Sequence, residues 1–499
     1  MMKKLLCVLL AALLLVGTLA SCAVSDGGNE TTAANNGTVQ EGDTREPLEI
    51  PDTRYDGIEL CFLTRDESEW STVEIFVENQ TTESDNISNA VFERNDRILQ
   101  AYGVTITELK KPTGEHHGTL TNEVAAPTGD FKAVISNTSG SASFATNGFL
   151  WDLNSDEAGY MDFTKPWWDN TMAEGMSIDG RLFFATGDLL TSDNDATFVI
   201  LFNKKLADEC KIPNLYELVS NKQWTMNTFY EYEQLAVRDN NGDNKLEFDT
   251  DVCGFAYTVD VPYCLLFGGG VTMVTKDEDD LPVYQLDVER ADGIADMGKK
   301  IFAKDYTVDL NAAMTSSGLT MVETGQKAFG EGHALFMGEV MQCVTRLRGF
   351  DADFGILPYP MYNEQQGNYY SMMHFTASSV SIPKSVGEKD IGMVTSMIEA
   401  MAYHSVDTLT EQYYEINLKT KGAKDEQSGP MMDMILSSRV CDLTYYYQWG
   451  SGAFGSLATC LLPTGNKNVA SQSKKFKTSI ERSIKQYNQA MEKADKAGN

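Results

Sequence analysis

The chain has 499 residues, with 72 Asp and Glu against 40 Lys and Arg, and a formal net charge of −32. Such an acidic body excludes nucleic acid as a partner, because phosphate backbones must be met with Lys and Arg. It also disfavours adhesion to anionic lipid, and it leaves a neutral small molecule as the solute most easily accommodated.

The chain opens "MMKKLLCVLLAALLLVGTLASC". Lys3 and Lys4 precede an apolar run from Leu5 to Gly17, shorter than the roughly 20 residues a membrane span needs and matching a secretory signal. Leu19-Ala20-Ser21-Cys22 resembles the bacterial lipobox, which implies a signal peptide over 1–21 and lipidation at Cys22. Two or more acyl chains there supply the anchoring that one chain cannot. The expectation is a protein held on the extracellular face of a bacterial membrane through this anchor alone. The stretch 22–54 is rich in Gly, Asn, Thr, Asp and Glu and nearly free of large apolar residues before Leu48. That composition reads as a flexible tether.

Beyond it, strand-like and helix-like segments alternate. "GIELCFLTR" (Gly57–Arg65) is a β-rich run, and Ile87–Gly103 carries apolar residues at helical spacing before a glycine stop. "VTITEL" and "FKAVIS" are further strands, "TFVILFNKKLADE" runs from strand into helix, and Lys474–Lys496 is a long amphipathic helix. This alternation predicts an α/β architecture with parallel strands, and no repeat of solenoid period is present. The body holds Cys61, Cys210, Cys253, Cys264, Cys343, Cys441 and Cys460. An odd number without CxxC or zinc-type spacing rules out a complete disulfide framework in one chain. Most are expected to be small buried hydrophobes; Cys253 and Cys264 are the sequence-near pair.

Seven stretches, in order, carry a resemblance: "NAVFERN", "DFTKPWWDN", "LFNKKLADE", "WTMNTFYEYEQLA", "GHALFMGEV", "DFGILPYP" and "LKTKGAKDEQSGPMMDMI". With them the body resembles the family 1 extracellular solute-binding proteins, the maltodextrin-binding type of ABC-transporter substrate-binding lipoprotein. The resemblance implies a two-lobed, periplasmic-binding-protein-like (type II) α/β fold with a multi-strand hinge. Lobe one is expected at 55–166 and 337–378, lobe two at 167–336 and 379–499. "GHALFM" would be a hinge strand feeding a helix at "GEVMQCVTRLRG", and "ASSVSIP" would cross back. The implied function is a monomeric receptor that captures a sugar by closing its lobes and hands it to ABC permease subunits, with no enzymatic activity and no organic cofactor.

The stretch "DNNGDNKLEFDTD" places oxygen donors at Asp239, Asn241, Asp243, the Lys245 carbonyl and Glu247, the first five ligand positions of an EF-hand loop. The sensor's bidentate Glu at position 12 is replaced by Thr250. Three readings follow: one structural Ca²⁺, as the resemblance implies, a calcium switch, or a solvated acidic turn.

Sugar rings stack their C–H faces on aromatic rings while their hydroxyls need fixed polar groups. Trp70, after the first strand, sits where doubly wound folds place ligand loops. Trp167 and Trp168 flank Pro166; in an extended chain adjacent side chains point opposite ways, so one would line the cleft and the other the core. Tyr445, Tyr446, Tyr447 and Trp449 form the densest aromatic cluster. Asp66, Glu67, Glu69, Arg439 and Asp442 are polar candidates, and "SDNDAT" (Ser192–Thr197) is expected to border the cleft. His116 and His117 read as an exposed turn. A lipid-anchored glycoside hydrolase, needing two carboxylates about 5–10 Å apart, is the alternative; no G-x-S-x-G, H-E-x-x-H or Walker motif supports other chemistry. A surface adhesin would require repeated domains, which are absent.

Overall fold

The strands seen in a computed structural model are β1 (Ile58–Arg65), β2 (Val104–Lys111), β3 (Ala133–Asn137), β4 (Phe198–Asn203), β5 (Cys253–Tyr257), β6 (Val274–Lys276), β7 (Pro282–Tyr284), β8 (Thr307–Asp309), β9 (Ala334–Val340), β10 (Phe354–Leu357) and β11 (Ser378–Ser381). The structure describes residues 45–66, 73, 75–78, 85–350, 352–418, 427–465 and 468–498. The leader, Cys22 and most of the expected tether lie outside these residues. The chain divides into Met1–Pro47 and Leu48–Asn499; of the first unit only 45–47 are described, without helix or strand. Leu48 and Ile50 already pack on the core, and Arg54 donates to the Gln100 and Ala101 carbonyls at 2.6 and 3.0 Å. The body therefore begins at Leu48, earlier than Tyr55, because these two apolar side chains find a surface to cover.

One sheet has the order β11-β3-β1-β2. β2 and β3 run parallel to β1 and β11 runs antiparallel to β3. The crossover from β1 to β2 includes the helix Asn86–Tyr102. Asp85 caps its start by accepting the Ser88 amide at 2.8 Å, a contact of about 1 kcal/mol. Gly103 ends it at φ +72, where its amide donates to the Leu99 carbonyl; a side chain there would be strained.

The second sheet has the order β10-β4-β9-β5-β8. β5 runs parallel to β8 and β9, and β4 antiparallel to β9 and β10. β4, "FVILFN", is buried along its whole length. Its alternate residues serve two cores: Phe198, Ile200 and Phe202 one, Val199 and Leu201 the other. This explains a continuous apolar run where a half-exposed strand would alternate. Among the described residues β6 and β7 form a separate hairpin, and the C-terminal helix Val469–Gly498 covers apolar residues through Phe476, Ile480, Tyr487 and Met491.

Sheet membership divides the chain differently from the resemblance. Met337–Val340 and Phe354–Leu357, expected in lobe one, belong to the second sheet, whereas β11 joins the first. β9 continues through Glu339 and Val340 because Val199 and Phe198 of β4 pair with them; the helix that follows is only Cys343–Arg346. Chain segments cross between the sheets side by side, as single bridges Ala185–Val380, Thr197–Met373 and Ser371–Arg439 record.

Candidate ligand-binding cleft

In open α/β sheets ligands gather outside the carboxyl ends of parallel strands. β1 ends at Arg65 and β3 at Asn137, while β5 and β9 end at Tyr257 and Val340. Both sets of ends approach one segment, His374–Ala377. From the first sheet, Thr138 donates its amide to the Ala377 carbonyl at 2.8 Å, and Ser139 its amide to the Phe375 carbonyl at 3.1 Å. Thr138 also donates its hydroxyl to Phe375 O at 2.6 Å, and Arg65 reaches the Ser378 hydroxyl at 2.9 Å. From the second sheet, His374 Nε2 lies 3.8 Å from Asp260 Oδ1, at the first turn of the helix Val261–Gly268. His374 also donates its amide to the Ala196 carbonyl at 2.9 Å.

The cleft therefore has a floor that both halves of the molecule share. Its aromatic part consists of Phe375, stacked on His374 at 4.4 Å and edge-on to Tyr445 at 5.4 Å, with Tyr263 a further 5.8 Å from Tyr445. Phe375 and Tyr263 are half-buried and Tyr445 is buried. Its polar part is Asp260, His374 and Glu339. Burial is the first cause that pushes the Glu339 carboxyl up, and Asp260 adds to it.

The other expected contacts are distributed unequally. Asp66 is exposed at the end of β1 and donates its amide to the Lys111 carbonyl at 3.0 Å. Glu67, Glu69 and Trp70 lie outside the described residues. Trp167 and Trp168 are corrected to core residues: their indole N–H groups donate to Glu399 Oε1 and Oε2 at 2.9 and 2.8 Å. The chain turns here, with the Trp168 amide donating to the Lys165 carbonyl, so adjacent rings reach one carboxylate instead of opposite faces. Tyr446 is also corrected; it is fully buried and donates its hydroxyl to the Met373 carbonyl at 2.9 Å. Trp449 is buried against Tyr447 and Tyr487 of the C-terminal helix. Of that aromatic cluster only Tyr445 reaches the cleft floor.

Arg439 and Asp442 are interior groups, not hydroxyl-binding loops. Arg439 donates to Thr197 Oγ1 at 2.9 Å, Asp169 at 2.8 Å, Asp193 at 3.2 Å and Asn194 at 2.5 Å. Asp442 accepts the Thr444 amide at 2.7 Å and that of Met273. "SDNDAT" thus forms a buried knot under the hinge. His116 is likewise buried within the helix Thr113–Ala125, its Nε2 3.1 Å from the Ile135 carbonyl. The seven body cysteines are all free thiols.

The acidic loop has the turns an EF-type loop uses, Gly242 at φ +76 and Asn244 at φ +61. Its side chains are tied to its own backbone: Asp239 accepts the Gly242 and Asn244 amides, Asn241 that of Asp243, and Asp243 that of Lys245, all at 2.7–2.9 Å. Asp251 accepts the Asn240 and Glu247 amides. Among the described residues no three His, Cys, Asp or Glu side chains converge as a metal site. The turn geometry fits a calcium loop, whereas the carboxylate arrangement does not yet do so.

No family model matches the chain, and no curated protein matches it in sequence. Solved structures do match in fold. An ABC substrate-binding protein from Listeria monocytogenes in complex with cycloalternan is 12% identical, with 86% of this chain and 99% of that one covered at a TM-score of 0.54. A sugar transporter from Rhizobium etli in an open conformation gives 11% identity, 85% and 99% coverage and a TM-score of 0.58. A maltose/maltodextrin-binding domain from Bdellovibrio bacteriovorus bound to maltotriose gives 14% identity, 86% and 100% coverage and a TM-score of 0.52. At these identities the likeness is one of fold. The chain has the two-lobed, periplasmic-binding-protein-like α/β fold of these structures.

Proposed function

We propose that this protein is a lipid-anchored extracellular receptor of an ABC importer that captures a saccharide between its lobes and delivers it to membrane permease subunits. One observation carries the reading: the strand ends of both sheets meet at a floor of half-buried rings and fixed polar groups, on a fold otherwise seen in sugar-binding transport proteins over most of this chain. A ligand touching both lobes only when they are closed favours closure by its differential affinity. The lobes follow the two sheets, with the side-by-side crossings near Thr197, Met373 and Arg439 as hinge. Attachment would run through the lipid on Cys22; among the described residues no helix is long and apolar enough to cross a membrane. We further propose the Asp239–Asp251 loop as a site for one structural Ca²⁺, remote in role from the ligand.

The test is a thermal-shift screen of the protein against a panel of mono- and oligosaccharides, with assay of released reducing ends. Saturation at 100 times the dissociation constant adds about 2.7 kcal/mol. A sugar-specific shift without turnover is expected. Product formation would instead make the protein a hydrolase, and a flat panel would remove the basis for a carbohydrate cargo.

A further inference from the structure

We infer that the outer face of the C-terminal helix is a docking surface for an anionic lipid bilayer, and that it lays the receptor on the membrane in one orientation. This inference rests on the anchoring through Cys22 proposed above and adds which face of the body meets the lipid. Net charge by itself disfavours adhesion to anionic lipid; its uneven distribution reverses that conclusion for one face.

The helix Val469–Gly498 carries seven Lys and Arg against three Asp and Glu, a local charge of +4 in a chain of −32. At 3.6 residues per turn, Lys474, Lys475, Arg482, Lys485, Lys493 and Lys496 fall within an arc of about 100° that runs for about 33 Å along the axis. All six are exposed. The arc lies opposite Phe476, Ile480, Tyr487 and Met491, which are buried against the body. Glu481 and Glu492 sit at one margin of the arc and face Lys477 at 3.8 Å and Lys496 at 3.9 Å, exposed pairs worth less than about 1 kcal/mol. Among the described residues Lys474, Lys475, Arg482, Lys485 and Lys493 make no ion pair.

The helix is also held so that this face cannot turn away. Tyr284 donates its hydroxyl to the Ser473 carbonyl at 3.2 Å, and Ser483 accepts the Gly450 amide at 3.1 Å. Among the described residues no large apolar side chain is exposed on the helix, which argues against a protein partner, whose contact would need an apolar centre. A straight stripe of one sign fits a flat layer of phosphate headgroups.

An amphipathic helix on a membrane ordinarily buries its apolar face at the acyl boundary. Here that face is taken up by the core, so the contact is electrostatic alone. Each Lys or Arg close to an anionic surface contributes about 1 kcal/mol, and the attraction decays within a Debye length of about 8 Å. Carboxylates on the other faces of the body are screened over the same distance. The lipid on Cys22 already keeps the body near the membrane, so the stripe has only to orient it.

The experiment reconstitutes the processed, lipid-bearing protein in vesicles of phosphatidylcholine alone, and of phosphatidylcholine with about one-third phosphatidylglycerol. Both carry a trace of dansyl-labelled lipid. Energy transfer from the tryptophans to that lipid reads how closely the body lies, and Trp449, 5.8 Å from Tyr487, reports from beside the helix. Transfer is expected to be at least about twofold greater on the anionic vesicles, and to fall to the phosphatidylcholine level in about 0.5 M salt. A variant carrying Lys474→Gln, Lys475→Gln, Arg482→Gln, Lys485→Gln and Lys493→Gln should lose the difference. It should keep its melting temperature and saccharide affinity, because these side chains have no partners to lose and Gln suits a helix about as well as Lys. The same change at Lys205, Lys211, Lys222, Lys300 and Lys304, exposed elsewhere, should preserve the difference. Equal transfer on both vesicles, or a stripe variant that retains the difference, overturns the inference and leaves the receptor reading standing. Equal transfer together with binding of soluble poly(glycerol phosphate) reassigns the face to a wall polymer and likewise overturns it. Protein that washes off phosphatidylcholine vesicles overturns the anchoring, and the inference with it.

Discussion

Arg439 and Asp193 meet 3.2 Å apart in the interior although 246 residues separate them in the chain. Asp169 lies 2.8 Å from the same nitrogen, and Thr197 and Asn194 take the remaining contacts. Segments that cross between the sheets thus pass within reach of one guanidinium. Removing one partner of a buried pair costs about 3–5 kcal/mol because the other charge stays behind. Arg439→Met is expected to lower stability by that amount, and Asp193→Asn added to it should recover part. Urea unfolding of the two variants measures the difference; a single variant as stable as the parent would show that the knot holds nothing.

Acidity should stabilise this protein. Burial pushes Asp188, Asp193, Asp195 and Glu399 up to about 7, 6, 7 and 7. Between the ordinary value near 4 and these raised values, the folded chain binds more protons than the unfolded one. Stability therefore falls as pH rises through this window and levels off above about pH 7. The melting temperature should be higher at pH 5 than at pH 7.5, and Glu399→Gln should flatten the slope. A parental curve that climbs over this range would contradict the assignment.

The indole pair on Glu399 separates packing from binding. Trp168→Phe removes one of the two N–H donors, leaving a buried acceptor short at a cost of about 1–3 kcal/mol. Stability should fall while saccharide affinity, measured below the melting range, stays within about twofold. A large loss of affinity with intact stability would return Trp168 to the cleft.

Tyr263→Ala should do the reverse in emphasis. Its half-buried ring is part of the cleft floor, and loss of a stacking surface is expected to weaken saccharide binding by about fivefold, in line with about 1 kcal/mol per aromatic contact beyond area. Calorimetric titration checks it, and an unchanged dissociation constant would move the ligand away from this floor.

Calcium should act on the fold alone. Added Ca²⁺ is expected to raise the melting temperature and EDTA to lower it, with ligand affinity unaltered, and Asp243→Ala should remove the response. Identical melting in both conditions would leave the loop as a turn held by its own Asx hydrogen bonds.

Much of the architecture was legible because its signals are local. The strand–helix alternation, the Gly103 stop and the amphipathic C-terminal helix each follow from residues within one or two turns of one another. The cleft was legible only in part. Tyr445 stood out as an aromatic candidate, but Asp260, Tyr263, Glu339, His374 and Phe375 sit in unremarkable stretches. "DVPYCLLF" reads as an apolar helix, and nothing in it announces that its first residue faces a histidine more than a hundred positions later. One signal was available: Asp260 precedes a Pro-containing helix start directly after a buried strand, where ligand loops gather.

The aromatic density that drew attention to Trp167, Trp168, Tyr446 and Trp449 marked core, because large rings are buried more often than displayed and their polar atoms find partners there. A turn at Lys165–Trp168 aims both indoles at Glu399, and no spacing rule in the sequence encodes a carboxylate arriving from Glu388–Ser405. By itself the sequence determined the α/β alternation and the acidic character, since propensity, capping and periodicity act over a few residues. Tertiary structure alone decided which charges are buried as partners and which face the cleft. Those pairings join segments hundreds of residues apart, and only the folded chain brings them within hydrogen-bond distance.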